Sequence, residues 1–337
     1  PTRRSSDLLP AMTAVVLLLL GDSGGEHGHD GDGVAVRRRL SLGSVVLGLA
    51  MAAALVSFAA SGELKVYRVG EWPAPFGIVL LVDRLSALML LLTATVALPV
   101  LWYACGGWDT QGRYFHALFH FQLMGLNGAF VTGDLFNLFV FFEVLLIASY
   151  VLLVHGQGRE RFRMGVHYVV LNLAASALFL IGLGLIYATT GTLNMADVAQ
   201  RVAQLTGDDA TLAHVAAVIL LVVFGLKAAL VPMYAWLPAT YAAACAPVAA
   251  LFAIMTKVGV YSILRVHGVI FGIDAGELTE SVAGWLLPLA LTTSALGVLG
   301  ALAAPNMARM VAYLTVSSVG TILAGIALYS KIGRAHV

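Results

Sequence analysis

The chain has 337 residues, 60% of them hydrophobic and only 11% charged, with a mean hydropathy of +0.91. A soluble domain carries about 25% charged residues, so these figures exclude a soluble globular protein and indicate a polytopic membrane protein. The net charge of +1 gives no case for a nucleic-acid partner, and Cys105 and Cys245, in or beside apolar segments, give none for a disulfide framework.

Both ends are set aside from fold reasoning. Pro1–Leu8 and Lys331–Val337 translate frames of a pair of sequencing adapters and read as adapter-like scars, so the natural protein is expected to extend beyond both. A spanning helix needs about 20 mainly apolar residues. Leu9–Leu20 is shorter and reads as a cut first span, and Gly21–Gly33 (GDSGGEHGHDGDG) as a solvated loop rather than a metal site built on His27, His29, Asp30 and Asp32. Further spans are predicted near Ser41–Ala60, Leu85–Cys105, Tyr114–Thr132, Leu135–Val154, Val166–Tyr187, Leu212–Leu237, Pro247–Val266, Val282–Ala304 and Met310–Tyr329. The expectation is an all-α polytopic membrane protein of about ten transmembrane helices. An amphipathic stretch near Asn194–Leu205 is expected at the membrane surface.

Counted in order, with Arg84 set aside as a helix-boundary charge, the even gaps between spans hold Lys65, Arg68 and Arg201, and the odd gaps hold Arg37, Arg38, Arg39, Arg113, Arg159, Arg161, Arg163 and Arg309. By the positive-inside rule this excess places the odd gaps in the cytoplasm.

Three ionisable residues lie inside apolar helices: Glu143, Lys227 and Lys257. A charge at bilayer depth costs about 2.5–3.5 kcal/mol even on the lenient insertion scale, so each needs a partner, water or a task. Glu143 follows Phe141 and Phe142; a neighbouring ammonium would set its protonation, or the two would form a static pair. Lys227 precedes Pro232, which lacks an N–H and would leave the Ala228 carbonyl without a helical partner; Pro238 would repeat the interruption at Tyr234. A break beside a lysine makes a polar point at membrane depth, unless it is only a packing kink. Lys257 shares a helix face with Tyr261 and Arg265. Arg265 is near enough to the helix end to snorkel, whereas Lys257 would relay protons or anchor a backbone carbonyl.

His116, His120 and His167 could relay protons but read more readily as packing or interface residues. Asp83–Arg84 and Asp134 read as boundary charges. Gly125, Gly128 and Gly133 indicate close helix contact. There is no P-loop and no dinucleotide glycine motif, and no cofactor- or metal-binding residue is expected.

The segments GLNGAFVTGDLFNLFVFFEVLLIASY (125–150), HYVVLNLAASALFLIGLGLIYATTGTLNMAD (167–197), VVFGLKAALVPMYAWLPATYAAACAPVAALFAIMTKVGVYSILRV (222–266) and GEWPAPFGIVLLVDRLSALMLLLTA (70–94) resemble the D subunit of Mrp-type multisubunit cation/proton antiporters. The wider superfamily includes antiporter-like subunits of respiratory complex I and membrane-bound hydrogenases. The resemblance implies an antiporter-like fold with a broken helix and inverted five-helix repeats. The implied organisation is N-terminal helices over 9–113, a first repeat over 114–266, and the start of a second, incomplete repeat over 267–330, between scars at 1–8 and 331–337. It also implies that Glu143 is the essential glutamate, Lys227 its broken-helix partner and Lys257 the lysine that passes protons onward, with Pro232 and Pro238 marking the break.

The implied function is proton and sodium or potassium translocation in a bacterial cell membrane, within a complex of other Mrp subunits and without a cofactor or covalent chemistry. The alternatives are a proton-pumping subunit of a redox complex, distinguishable by neighbouring genes, and a purely structural membrane subunit whose buried ions fix helix packing.

Overall fold

The computed structural model describes residues 5–20, 30–62, 64–72, 75, 77–279 and 283–334. Its helices are α1 (Ser5–Leu19), α2 (Asp30–Ala59), α3 (Arg84–Ala104), α4 (Phe115–Val131), α5 (Leu135–Leu153), α6 (Arg159–Thr190), α7 (Met195–Val202), α8 (Gly207–Ala228), α9 (Trp236–Ala243), α10 (Ala246–Arg265), α11 (Ala283–Leu302) and α12 (Met307–Arg334).

All ten expected spans find a helix, with α8 and α9 together forming the broken one. Eight are long and apolar enough to cross a membrane by length and composition; α1 and the 17-residue α4 are shorter. The predicted surface segment is α7, whose buried residues Met195, Val198 and Val202 lie on one face.

Several expectations change. Helix α2 starts at Asp30, so Asp30–Gly33 is helical rather than loop, while residues 21–29, including His27 and His29, lie outside the described residues. Hydropathy marks only the apolar part of a helix, whereas its hydrogen bonds are local and continue through polar residues. Helical backbone likewise extends into both segments read as scars, at Ser5 and at Arg334; residues 1–4 and 335–337 lie outside the described residues. The all-α architecture also carries one small element that the sequence reading does not include. A two-stranded antiparallel hairpin, β1 (Lys65–Arg68) and β2 (Val79–Val82), pairs Lys65 with Val82 and Arg68 with Val79 between α2 and α3. Gly133 N–H donates to the Val79 carbonyl at 2.8 Å, pinning the hairpin to the α4–α5 junction.

Close helix contact is set by glycine. A Cβ on Gly125 would lie 2.6 Å from Leu145 Cβ, and one on Gly128 would enter the Phe141 ring, so the missing side chains of α4 let Leu145 and Phe141 of α5 seat directly on its backbone. Gly259 of α10 meets the end of α8 in the same way, its Cβ position lying 2.6 Å from Ala228 N and 2.9 Å from the Phe224 carbonyl. Lipid tails are as apolar as leucine, so van der Waals packing at small residues holds such helices together.

The boundary charges are structural. Asp134 N-caps α5 through Asn137 N–H (2.8 Å), and Asp83 N-caps α3 through Ser86 in a capping box. Asp83 also pairs with Arg265 at 2.6 Å, and Arg265 Nε donates to the Tyr261 hydroxyl, which donates to the Phe130 carbonyl. Arg265 therefore does not snorkel; it ties the end of α10 to α3 and α4. Burial alone would raise the Asp83 carboxyl, but the bonds from Arg265 and Ser86 outweigh it and hold the group below its ordinary range. The stabilisation from this depressed carboxyl is present above the ordinary carboxylate pKa and is lost as pH falls through the lowered value.

Asp83→Asn leaves Arg265 largely buried without its anion, a change worth about 3–5 kcal/mol for a buried pair. Thermal unfolding in detergent should show a lower Tm at pH 7, and the gap from wild type should close at pH values acidic enough to protonate Asp83.

Candidate functional site

The site forms where α8 stops. Ala229 adopts a left-handed conformation (φ 60°, ψ 50°), and the Ala229 and Leu230 N–H groups fold back onto the Leu226 and Gly225 carbonyls at 3.1 and 2.8 Å. This is a Schellman-type termination, which usually places glycine at the left-handed position; alanine there carries local strain. The chain then passes Pro232 and a short 3-10 turn, Met233–Ala235, before α9 begins.

The interruption is thus a helix end at Ala228 with Pro232 just beyond it, rather than a kink caused by Pro232. Pro238 is not a second break: it lies in the first turn of α9, where an N–H has no helical partner to lose. Side chains from elsewhere add further bonds at the helix end. Trp236 Nε1 donates to the Leu226 carbonyl at 3.1 Å, and Val231 N–H donates to Thr293 Oγ1 on α11 at 3.0 Å.

Lys227 lies in the last turn of α8 and is 5% exposed. Its ammonium reaches Asn172 Oδ1 at 3.4 Å and Ser176 Oγ at 3.5 Å on α6, and stands 5.6 Å from the centre of the Phe142 ring. Glu143, half-buried on α5, accepts a short hydrogen bond from Ser176 Oγ. Among the described residues no ion pair joins Glu143 directly to Lys227. Ser176 joins them instead, accepting from the ammonium and donating to the carboxylate.

Lys257 belongs to a neighbouring group. Its ammonium donates to Ser318 Oγ on α12 at 2.8 Å and to Thr256 Oγ1 at 3.3 Å, so its partners are hydroxyls rather than a backbone carbonyl. Among the described residues no hydrogen bond links it to Lys227; the two are related through the close approach of Gly259 to Ala228, each one or two residues away from a lysine. Tyr261 and Arg265, placed on the Lys257 face by spacing, bond to one another, and Arg265 bonds to Asp83.

The structure thus places Glu143 and Lys227 around one serine and Lys257 beyond a helix contact. Ser176 and Asn172 are not singled out by sequence alone. The signal that could have found them is the polar row Tyr168, Asn172 and Ser176 at four-residue spacing on an otherwise apolar helix.

The histidines and the cysteines stand apart from this site. His116 Nε2 meets Asp109 Oδ2 at 3.1 Å beside the Arg38–Asp109 pair, His120 Nε2 meets Ser41 Oγ at 2.8 Å, and His167 is exposed. Arg38 and His116 hold the Asp109 carboxyl well below its usual range against the opposing effect of burial. Cys105 and Cys245 are free.

A multi-pass helical bundle with paired ionisable groups at a broken helix defines a membrane protein built to hold charge at depth. Residues 132–336 match the family described as NADH:quinone oxidoreductase/Mrp antiporter, TM, and the chain belongs to that family. It is 50% identical over 287 residues to the D subunit of a probable K(+)/H(+) antiporter of Rhizobium meliloti, covering 84% of this chain and 53% of the relative. It is 43% identical over 275 residues to the D subunit of the Na(+)/H(+) antiporter of Alkalihalophilus pseudofirmus, covering 81% and 55%. The chain therefore spans about half the length of these curated relatives. Its fold is similar to a chain in the structure of the Mrp complex from Dietzia sp. DQ12-45-1b, with TM-score 0.83, 31% identity and coverage of 96% of this chain and 58% of that one. It is similar to one in an archaeal membrane-bound sulfane sulfur reductase at TM-score 0.83 and 28% identity, covering 96% and 64%.

Trp236→Phe keeps the ring and removes the donor to the Leu226 carbonyl. The Leu226 carbonyl keeps its bond from Ala229 N–H, and losing one typical hydrogen bond costs about 0.5–1.5 kcal/mol, so the variant should insert normally and melt at a slightly lower temperature in detergent; an unchanged Tm would show that the Ala229 bond alone satisfies the carbonyl.

Proposed function

We propose that the chain is part of a proton- and monovalent-cation-translocating subunit of a multisubunit Na+(K+)/H+ antiporter in the bacterial plasma membrane, working with other Mrp subunits. It is a secondary-transporter subunit, not an enzyme. The observation that carries this reading is the Glu143–Ser176–Lys227 array at the broken helix.

In this reading Lys227 is the proton-holding group. Its ammonium is 5% exposed and held by Asn172 and Ser176. The Glu143 carboxylate is coupled to it through Ser176, and movement of the Glu143 charge, or of a neighbour's, would release the proton. The Ser176 hydroxyl can turn to donate in either direction, so the coupling needs no movement of either helix. A proton released from Lys227 would pass across the Gly259–Ala228 contact to Lys257 and Ser318. Each pKa unit of such coupling is worth about 1.4 kcal/mol. The relatives' names, D subunits of a potassium and of a sodium antiporter, favour exchange over redox-driven pumping and support either cation.

Glu143→Gln in the full-length assembled complex should abolish cation-driven proton movement in everted vesicles while leaving insertion and assembly intact. Ser176→Ala should reduce exchange and shift its pH profile, because Glu143 and Lys227 lose their intermediary. Normal antiport by E143Q would refute the assignment, as would function retained in the E143Q/K227M double variant.

A further inference from the structure

Along α6 from the Lys227 partners lies a layer of aromatic rings. Tyr168 is 1% exposed and lies two helical turns before Ser176, about 12 Å along α6 at 1.5 Å per residue. It lies toward Arg159, the end that the arginine distribution assigns to the cytoplasm. Its ring stands 5.4 Å from that of Tyr150 at 82°, 5.4 Å from Trp236 and 6.4 Å from Phe252. Trp236 is the residue that caps Leu226, next to Lys227, so the same indole borders both the broken helix and this aromatic layer. Tyr241, whose hydroxyl donates to the Phe252 carbonyl at 2.8 Å, completes it.

Hydroxyls run through the layer. Ser149 Oγ donates to the Leu146 carbonyl at 2.7 Å, so its 3.0 Å contact with Tyr168 is a bond donated by the tyrosine. The Tyr150 hydroxyl is buried with no partner among the described residues. It lies seven residues after Glu143 on α5, near the same helix face and about 10 Å toward the cytoplasmic end. A buried hydroxyl left unpaired is costly, and such a group beside a proton site calls for an explanation. On the pocket side Asn172 Nδ2 donates to the Tyr168 carbonyl at 2.9 Å while Asn172 Oδ1 faces Lys227. The polar row therefore runs from Lys227 to the aromatic layer, where α5 sets Ser149 and Tyr150 against Tyr168.

We propose that Tyr168, with Ser149 and Tyr150, is the cytoplasmic-side proton gate of the Lys227 pocket: its ring closes the pocket and its hydroxyl carries the proton through. The inference rests on the reading of Glu143 and Lys227 as the proton site. In the arrangement seen, the Tyr168 hydroxyl is turned to Ser149, and the path is shut. For passage the hydroxyl oxygen accepts a proton from one side as it releases its own to the other, and the tyrosine ends unchanged. No other reactant is consumed. Tyr168 is on this view a relay rather than a proton store.

The test uses the full-length assembled complex in everted vesicles, with E143Q alongside. Tyr168→Phe keeps the ring and removes the relay. It should assemble with an unchanged Tm, lose about 100-fold in exchange rate, as expected for removing a positioned proton-transfer group, and show a larger solvent deuterium isotope effect. Tyr168→Ala should open the layer and give a proton leak that needs no cation; if that variant fails to assemble, Y168F alone decides. Wild-type exchange by Y168F with an unchanged isotope effect, while E143Q is inactive, overturns the gate. Normal exchange by E143Q overturns the underlying site instead.

Discussion

An ammonium buried at membrane depth is the constraint around which this bundle is arranged. Lys227 is 5% exposed, and among the described residues no carboxylate pairs with it directly. It is tolerated because α8 ends one residue later, because α6 presents Asn172 and Ser176 to it, and because Glu143 stands one hydroxyl away. The helix end would itself be a liability in a bilayer, where no water reaches freed backbone groups. The turn at Ala229 and Leu230 meets that need at the carbonyls, reinforced by Trp236, and Thr293 meets it at the Val231 N–H. The charge and the break are therefore sustained by the same surroundings.

Such an interior reverses the usual order of a folded protein. Ser149, Asn172, Thr240 and Thr256 are buried, whereas Phe136, Val140, Ile147 and Val151 form an exposed apolar stripe along α5. Hydrophobic burial cannot drive helices together when their outer surroundings are equally apolar. Contacts through Gly125, Gly128 and Gly259 take over that role by letting backbones approach, and they also fix the separations on which the polar groups depend. At the ends of the helices, hydrogen-bonded charges do the joining. The Asp83–Arg265–Tyr261 chain links α3, α10 and α4, and the hairpin is stitched to the α4–α5 junction through Gly133.

A static pair and a packing kink place the same residue types in a helix, and the geometry departs from both. A static pair would bring carboxylate and ammonium into contact; here a serine that accepts from the ammonium and donates to the carboxylate intervenes. A packing kink would continue the helix; here it terminates with alanine in a left-handed conformation and restarts seven residues after that alanine. Strain of this kind persists where the surroundings over-determine it, commonly at functional positions.

The amino-acid sequence by itself determined the membrane class, a helix at each of ten places, the amphipathic α7 and the three ionisable residues within apolar helices. Each of these follows from a local cost: about 20 apolar residues to cross, and a charge that stands out against them. Glu143 and Lys227 are legible for that reason. Ser176 and Asn172 are not, because a serine or asparagine in a membrane helix costs little and carries no mark of its partner. Arg265 reads as snorkelling because its anion, Asp83, lies 182 positions away in the chain. Pro232 and Pro238 look alike, yet one follows a helix end and the other opens a helix, which depends on where the last hydrogen-bonded turn closes. The hairpin is lost between two spans because four-residue strands carry little hydropathy signal. Only the tertiary structure decided which polar group meets which, since such pairings are set by the approach of helices distant in sequence rather than by any property of one segment.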